Sequence, residues 1–263
     1  MFKMRLLFLV LSAALLVSSC SKYQKLLKSS DNELKYSKAV EYYEKGEYYR
    51  AQQLFDQIMV FFRGTEKAEK IAYLNAYCYY KQRDYILAGY YFNSFTSGFP
   101  NSKLAEECAF MSALCTYHDS PVSSLDQTNT QAAIASLQLF INQYPDSERI
   151  EQCNQLIDEL RAKLEKKAFD IAMLYYKMRD YKAAIISLNN LLKEYPDTRQ
   201  REKVLYSLLD AKYNYAVNSV PEKKKERIAD ALEAYRVLQT EFPSGAFAGK
   251  AESIYKNLMK ENS

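Results

Sequence analysis

The sequence predicts an all-α protein built as an array of about five helix–turn–helix repeats. Five times, an alanine is followed four residues later by a tyrosine, and a second alanine comes twelve or twenty residues after the first. From each second alanine, apolar residues recur at plus four, plus seven and plus eleven, which is the spacing of one helix face. Self-similarity of this kind indicates a helical repeat array. The first pairs are Ala39/Tyr43, Ala76/Tyr80, Ala113/Tyr117, Ala172/Tyr176 and Ala211/Tyr215, and the second alanines are Ala51, Ala88, Ala133, Ala184 and Ala231.

The N-terminus predicts a lipoprotein signal peptide over residues 1–19. A short basic segment precedes the apolar run Leu6–Val17, which is shorter than the roughly 20 residues of a membrane span. Small residues then stand directly before Cys20, a pattern that resembles a bacterial lipobox. We therefore expect cleavage before Cys20, acylation of this residue with palmitate-type chains, and a polar tether over residues 20–32. The residues after Cys20 contain neither the Asp that resembles an inner-membrane retention signal nor the acidic run that resembles a surface-export signal. The lipobox resemblance therefore implies the periplasmic face of the outer membrane.

Composition and motifs argue against an enzyme. The 36 basic and 32 acidic side chains nearly balance, so the sequence predicts no nucleic-acid partner. It contains no glycine-rich phosphate loop, no HExxH and no GxSxG, and we expect no cofactor, no metal site and no small-molecule substrate. The single histidine, His118, lies near Cys115 and Asp119, but this spacing is typical of a helix end rather than of a catalytic pair.

The cysteines that follow the signal peptide predict buried, small apolar side chains. An inter-helix disulfide is a second interpretation, because the periplasm is oxidising. These cysteines are Cys78, Cys108, Cys115 and Cys153.

The array departs from regularity in three places. Units three and five carry insertions at about 118–129 and 218–226, which we expect to project from the same edge, and the run Lys223–Lys225 is interpreted as a solvated loop. A stretch rich in helix-forming residues predicts one long helix over 147–178. This helix divides repeats one to three, residues 33–146, from repeats four and five, residues 165–263.

The units resemble the tetratricopeptide repeat, in which a small residue, a tyrosine three later, a second alanine and a closing proline recur. The resemblance implies a right-handed superhelical array. Tyrosine is present in three units and a closing proline in four, at Tyr42, Tyr79, Tyr175, Pro100, Pro145, Pro196 and Pro243.

Four further segments resemble the BamD family, the lipoproteins of the outer-membrane β-barrel assembly machinery, in its Bacteroidetes form. They are Lys25–Asp31, Asp119–Pro121, Leu125–Thr128 and Leu164–Phe169. The resemblance implies a non-catalytic, chaperone-like activity. Repeats one to three would receive unfolded outer-membrane proteins, and repeats four and five would dock on a POTRA domain of the barrel-forming partner.

Aromatic residues on the first helices of repeats one to three predict a groove for such substrates, since rings offer contact area at low entropy cost. Packing between neighbouring helices is the other interpretation of the same stripe. The candidate groove residues are Tyr36, Tyr43, Tyr73, Tyr77, Tyr80, Phe110 and Tyr117, and the candidate docking residues are Asp197, Arg199, Arg201 and Glu202.

Two other binding functions compete with this hypothesis. A periplasmic scaffold that coordinates envelope or peptidoglycan processes fits the same repeats. A nutrient-capture lipoprotein of the SusD type fits less well, because the chain contains no tryptophan for sugar stacking.

Overall fold

A computed structural model describes residues 22–261 of the protein, and the regular secondary structure in these residues is helical, with no strand. The all-α prediction is therefore confirmed. After a short helical segment over residues 22–27, which we call α1, eleven helices follow in this part of the chain. They are α2 Asn32–Glu44, α3 Tyr48–Ile58, α4 Glu66–Lys81, α5 Tyr85–Gly98, α6 Ala105–His118, α7 Thr128–Gln143, α8 Ile150–Lys177, α9 Tyr181–Glu194, α10 Arg201–Val217, α11 Pro221–Glu241 and α12 Ala248–Glu261.

Consecutive helices pack in pairs, and the marker alanines lie where the helices of each pair meet. The pairs are α2 with α3, α4 with α5, α6 with α7, the C-terminal half of α8 with α9, and α10 with α11. All ten marker alanines are buried; nine have no exposed surface and Ala113 is 3 % exposed. A side chain larger than a methyl group would hold the helices apart, which explains why alanine recurs at these positions.

The turns inside three of the pairs share one construction. A residue with positive φ ends the first helix, at Gly46, Arg83 and Arg179. An acidic residue follows, and in two turns its carboxylate caps the second helix: Asp84 accepts from the Leu87 amide and Asp180 from the Ala183 amide.

A pair of tyrosine rings then joins the two helices edge to face in each of these units. The ring centroids lie 5.5 to 5.7 Å apart in the pairs Tyr43–Tyr48, Tyr80–Tyr85 and Tyr176–Tyr181. In these three units an aromatic ring therefore covers the turn.

The described residues divide into two compact units. The first contains the residues up to Ser120 together with Thr128–Ile157, and the second contains Pro121–Gln127 together with the chain from Asp158 onward. Helix α8 contributes residues to both units, and its 28 residues lie where the sequence predicts a long helix.

The two insertions differ, and the interpretation of Lys223–Lys225 as a solvated loop is wrong. Residues 119–127 are not helical, and the side chain of Gln127 closes this segment by donating to the carbonyls of Val122 and Leu125. The second insertion is instead helical, because α11 begins at Pro221, and the lysine run lies in its first turns. Lys224 there forms an ion pair of 2.5 Å with Glu261 of α12.

Helix α12 is an element that the repeat pattern did not predict. It packs on α10 and α11, and its buried Ala251, Ile254 and Leu258 join their core. The last repeat thereby receives a partner that covers its apolar face, as repeat arrays require.

The segment that the sequence predicts to be a tether packs against the first repeat in its described part, which begins at residue 22. Tyr23 is buried, its ring meets Tyr42 edge to face, and its hydroxyl lies within hydrogen-bonding distance of the Arg50 carbonyl and of Gln53. Residues 22–27 therefore pack against α2 and α3 of the first repeat. The signal peptide and Cys20 lie outside the described residues.

The four cysteines between residues 22 and 261 are buried and free, as the interpretation of small apolar side chains expects. Burial raises the pKa of the Cys78, Cys108 and Cys115 thiols to about 12. Within the same residues, no helix combines the length and apolar character that crossing a membrane demands.

Replacement of a marker alanine tests the close contact between paired helices. Ala88→Leu should destabilise the protein by about 1–3 kcal/mol, because the larger side chain has no space between α4 and α5. Urea unfolding followed by circular dichroism measures this change. Ala132→Leu, on the exposed face of α7, is the matched control and should leave the unfolding midpoint within error. Equal midpoints for the two variants would contradict the packing argument.

Candidate functional site

The tyrosines of α4 form the centre of the predicted groove. Tyr73, Tyr77 and Tyr80 lie along one face of this helix and are half-buried, with centroids of the first two rings 4.8 Å apart. Beneath them, the edge of Phe92 packs against Tyr77 at 5.0 Å. The sequence left open whether this stripe packs between helices or faces a substrate. Each of these three rings does both, since it packs on the core and keeps an accessible part.

Glu107 of α6 binds two of these tyrosines. The Tyr73 hydroxyl donates to Glu107 Oε1 at 3.2 Å, and Tyr77 donates to the same oxygen. Sequence reasoning missed this residue, because its role depends on the packing of α4 against α6. Its carboxylate fixes the hydroxyl groups on this part of the surface.

The two groove candidates of α2 are also half-buried. Tyr36 packs against Phe62, and the Lys67 ammonium lies 5.1 Å from the centroid of its ring. This ammonium also pairs with Glu33. Tyr43 belongs to the ring pair described above, and burial raises its pKa to about 12.

At the other end of the stripe, three tyrosine rings surround His118. Tyr85 stacks on the imidazole at 4.6 Å, Tyr117 meets it edge to face at 5.5 Å, and the Tyr80 hydroxyl lies 3.4 Å from Nε2. Burial lowers the pKa of His118, so the neutral ring is favoured. The histidine extends the aromatic surface from α4 to the end of α6.

One groove candidate is placed differently. Phe110 is only 2 % exposed, because the Arg149 guanidinium lies over its ring at 4.5 Å and Phe140 packs against its edge. It belongs to the core and offers almost no surface to a peptide. The six candidate tyrosines remain as the accessible members of the stripe.

The four docking candidates of the second unit separate into two kinds. Arg201 forms a bidentate ion pair with Glu241, at 2.5 and 2.9 Å, and Glu202 accepts from the Phe247 amide just before α12. Both side chains therefore stabilise the last repeat. Asp197 and Arg199 are exposed on the loop between α9 and α10.

A second surface of the first unit, a groove between α5 and α7 above α6, was not predicted. It encloses about 840 Å³, and its floor contains small residues such as Gly89, Ala109 and Ala113. Its rim carries the exposed side chains of Ile86, Tyr90 and Leu139. The sequence does contain a signal for this groove, because Ile86, Tyr90 and Leu139 are apolar residues on helix faces that point away from the marker alanines.

The chemical character of the tyrosine stripe follows from its side chains and their burial. Between residues 22 and 261, no cluster of His, Cys, Asp and Glu could hold a metal ion. Burial raises the pKa values of Tyr73, Tyr77 and Tyr80, so these hydroxyls stay neutral at physiological pH. The stripe therefore offers ring faces and neutral hydroxyls, which match apolar side chains and peptide groups.

Comparison with known proteins identifies the family. A family model described as YfiO, outer membrane lipoprotein, matches residues 28–228, which is more than half of the chain. The chain belongs to this family. It is the BamD family that the sequence resembles, so the protein is an outer membrane lipoprotein of that type. A search among curated proteins gave no match.

The YfiO match covers the whole tyrosine stripe and most of the second unit, and it ends at Ile228 within α11. Helix α12 lies beyond the matched residues.

Alkaline titration tests the burial of the tyrosines. The folded-state pKa values of Tyr23 and Tyr43, about 12, lie above the unfolded value of about 10. Their contribution to stability should be complete below about pH 10 and should be lost as the pH rises through about 12. We expect tyrosinate absorbance at 295 nm to rise together with loss of helical circular dichroism. Ionisation of all the tyrosines near pH 10 with the helices intact would contradict the burial.

Proposed function

We propose that this protein assists the assembly of outer-membrane β-barrel proteins. In this proposal the first unit binds unfolded substrates, the second docks on a POTRA domain of the barrel-forming subunit, and neither unit catalyses a reaction. Lipids on Cys20 hold the protein at the periplasmic face of the outer membrane. Membership of the outer membrane lipoprotein family supports the location, and the lipobox pattern supports the anchor.

The observation that carries the substrate-binding role is the row of accessible tyrosines on α2, α4 and α6. Outer-membrane strands alternate apolar and polar residues and carry aromatic girdles, so an unfolded strand presents rings and unpaired peptide groups. Half-buried rings can pack on such side chains without losing much rotamer freedom, because their core contacts already fix them. This pre-organisation favours transient, sequence-tolerant binding, which suits a chaperone-like component.

For docking, the exposed pair Asp197 and Arg199 is the part of the predicted segment that remains free for a partner. The neighbouring Arg201 and Glu202 position α10 against α11 and α12. The loop is therefore held at its base by internal contacts while its tip faces solvent. A charged tip on a fixed base suits the polar rim of a protein interface.

Cross-linking to peptides tests the tyrosine row. Tyr80→Ala combined with Tyr117→Ala should weaken cross-linking to C-terminal peptides of barrel proteins about tenfold or more, because aromatic residues dominate binding energies of this kind. A far-UV circular dichroism spectrum equal to that of the unmodified protein at the assay temperature would show that the variant is folded.

The matched control is Tyr49→Ala combined with Tyr90→Ala. It removes two exposed tyrosines from the second helices, α3 and α5, and cross-linking should persist. If the control loses cross-linking while the first variant keeps it, the substrate site moves to the groove between α5 and α7.

A pull-down from membranes in mild detergent, read by mass spectrometry, tests the assembly role. We expect a near-stoichiometric β-barrel protein with POTRA domains, and its recovery should fall with Asp197→Lys and Arg199→Glu together. Cys20→Ala should move the protein from the membrane to the soluble fraction. Recovery of division or peptidoglycan proteins with no such barrel would favour the scaffold function, and unchanged sedimentation of Cys20→Ala would contradict the anchor.

A further inference from the structure

The second unit contains a small pocket where α9, α10 and α11 meet. Its volume is about 140 Å³. Apolar side chains and a tyrosine ring form its floor, and basic groups predominate around it. The lining residues are Lys182, Ile185, Ile186, Lys212, Tyr215, Arg227 and Asp230.

The insertion in the fifth repeat contributes a basic side chain to this pocket. In α3, α5 and α9 the second marker alanine is the fourth residue of the helix, whereas in α11 it is the eleventh. The additional two turns bring Arg227 to the place, four residues before the alanine, where an acid stands before the regular helices. Those acids are Glu47, Asp84 and Asp180. The insertion thus reverses the charge at this position of the repeat.

Arg227 also replaces the ring that covers the repeat tyrosine in the regular units. Its guanidinium lies 3.8 Å from the centroid of Tyr215, where Tyr43, Tyr80 and Tyr176 have a second tyrosine. Such a short cation–π contact fixes the guanidinium plane.

Further hydrogen bonds hold the basic groups in place. Arg227 donates through Nη1 to Ser219 Oγ at 2.6 Å, and a guanidinium has five N–H donors, so most of them remain for a ligand. The Lys212 ammonium lies 3.4 Å from the backbone carbonyl of Asp230. Two cations are therefore positioned beside an apolar floor, and the exposed Lys182 adds a third.

We propose that this pocket binds an acidic segment of a protein partner by taking up one large apolar side chain of that segment. Three basic groups and one acid favour an anionic occupant, and fixed arginine forks match carboxylates. The volume is below the roughly 300–1,000 Å³ of small-molecule sites, so it suits a single side chain between Ile185, Ile186 and Tyr215. Carboxylates before and after that side chain then meet Arg227, Lys212 and Lys182.

The pocket goes beyond the proposed function. It lies at the first turns of α9, whereas the docking loop with Asp197 and Arg199 follows the end of that helix. It also lies in a different unit from the tyrosine row. If the pocket does not bind the acidic peptide, the proposed role in barrel assembly is unaffected. If the assembly role is contradicted, the peptide experiment still tests this pocket independently.

Fluorescence anisotropy with the full-length protein in detergent tests the proposal. The probe is a labelled pentapeptide with blocked ends, Phe in the centre and two Glu on each side. We expect saturable binding at low ionic strength, at least tenfold weaker with Arg227→Ala and with Lys212→Ala, and weaker at about 200 mM salt. A probe with Ala in place of Phe should bind at least tenfold more weakly.

Lys225→Ala is the matched control, because it removes a lysine from the same additional turns of α11 outside the pocket, and binding should be unchanged. Ile186→Ala tests the apolar floor at a half-exposed position that should not affect folding, and it should weaken the Phe probe about fivefold or more. Circular dichroism confirms the fold of each variant.

Four results would overturn the proposal. Equal affinity of Arg227→Ala and Lys225→Ala would show that general charge attraction explains the binding. Equal affinity for a probe with Lys in place of Glu would contradict the preference for an acidic segment. The absence of saturable binding would contradict the peptide site itself. Capture of phosphatidylglycerol vesicles that depends on Arg227, without binding of the peptide, would assign the pocket to lipid.

Discussion

Close contact between paired helices at buried alanines is the constraint on which the rest of this structure depends. Each repeat brings two helices together at two methyl groups, and this spacing lets the apolar residues at plus four, plus seven and plus eleven interlock. The tyrosine after the first alanine then reaches the first turn of the second helix. Ring pairs at that contact close three of the five repeats.

The repeats that break this construction carry the features that differ most between the units. In the third repeat Tyr117 meets His118, and the His118 ring in turn contacts Tyr80 and Tyr85 of the second repeat. In the fifth, Arg227 takes the place of the second ring. Insertions therefore change the chemistry of one edge of a repeat without disturbing its alanine contacts.

The tyrosine row illustrates how a core can also be a binding surface. Its rings are half-buried, so the same contacts that stabilise the first unit hold the exposed ring faces in place for a substrate. Glu107 fixes two hydroxyls, and Phe110, which continues the stripe in sequence, is covered by Arg149. Periodicity identifies the stripe, but the accessible part of each ring depends on the neighbouring helices.

The sequence by itself determined the all-α class, the helix pairs and the positions of the closest contacts, because these follow from local spacing and from residue size. It also carried the family resemblance that the YfiO match bears out. Only the tertiary structure decided that the second insertion is helical, that α12 covers the last repeat, and that Arg201 and Glu202 are used internally. The physical reason is that Arg201 and Glu202 find partners 40 and 45 positions away and that α12 packs on two earlier helices, and no local pattern encodes such contacts.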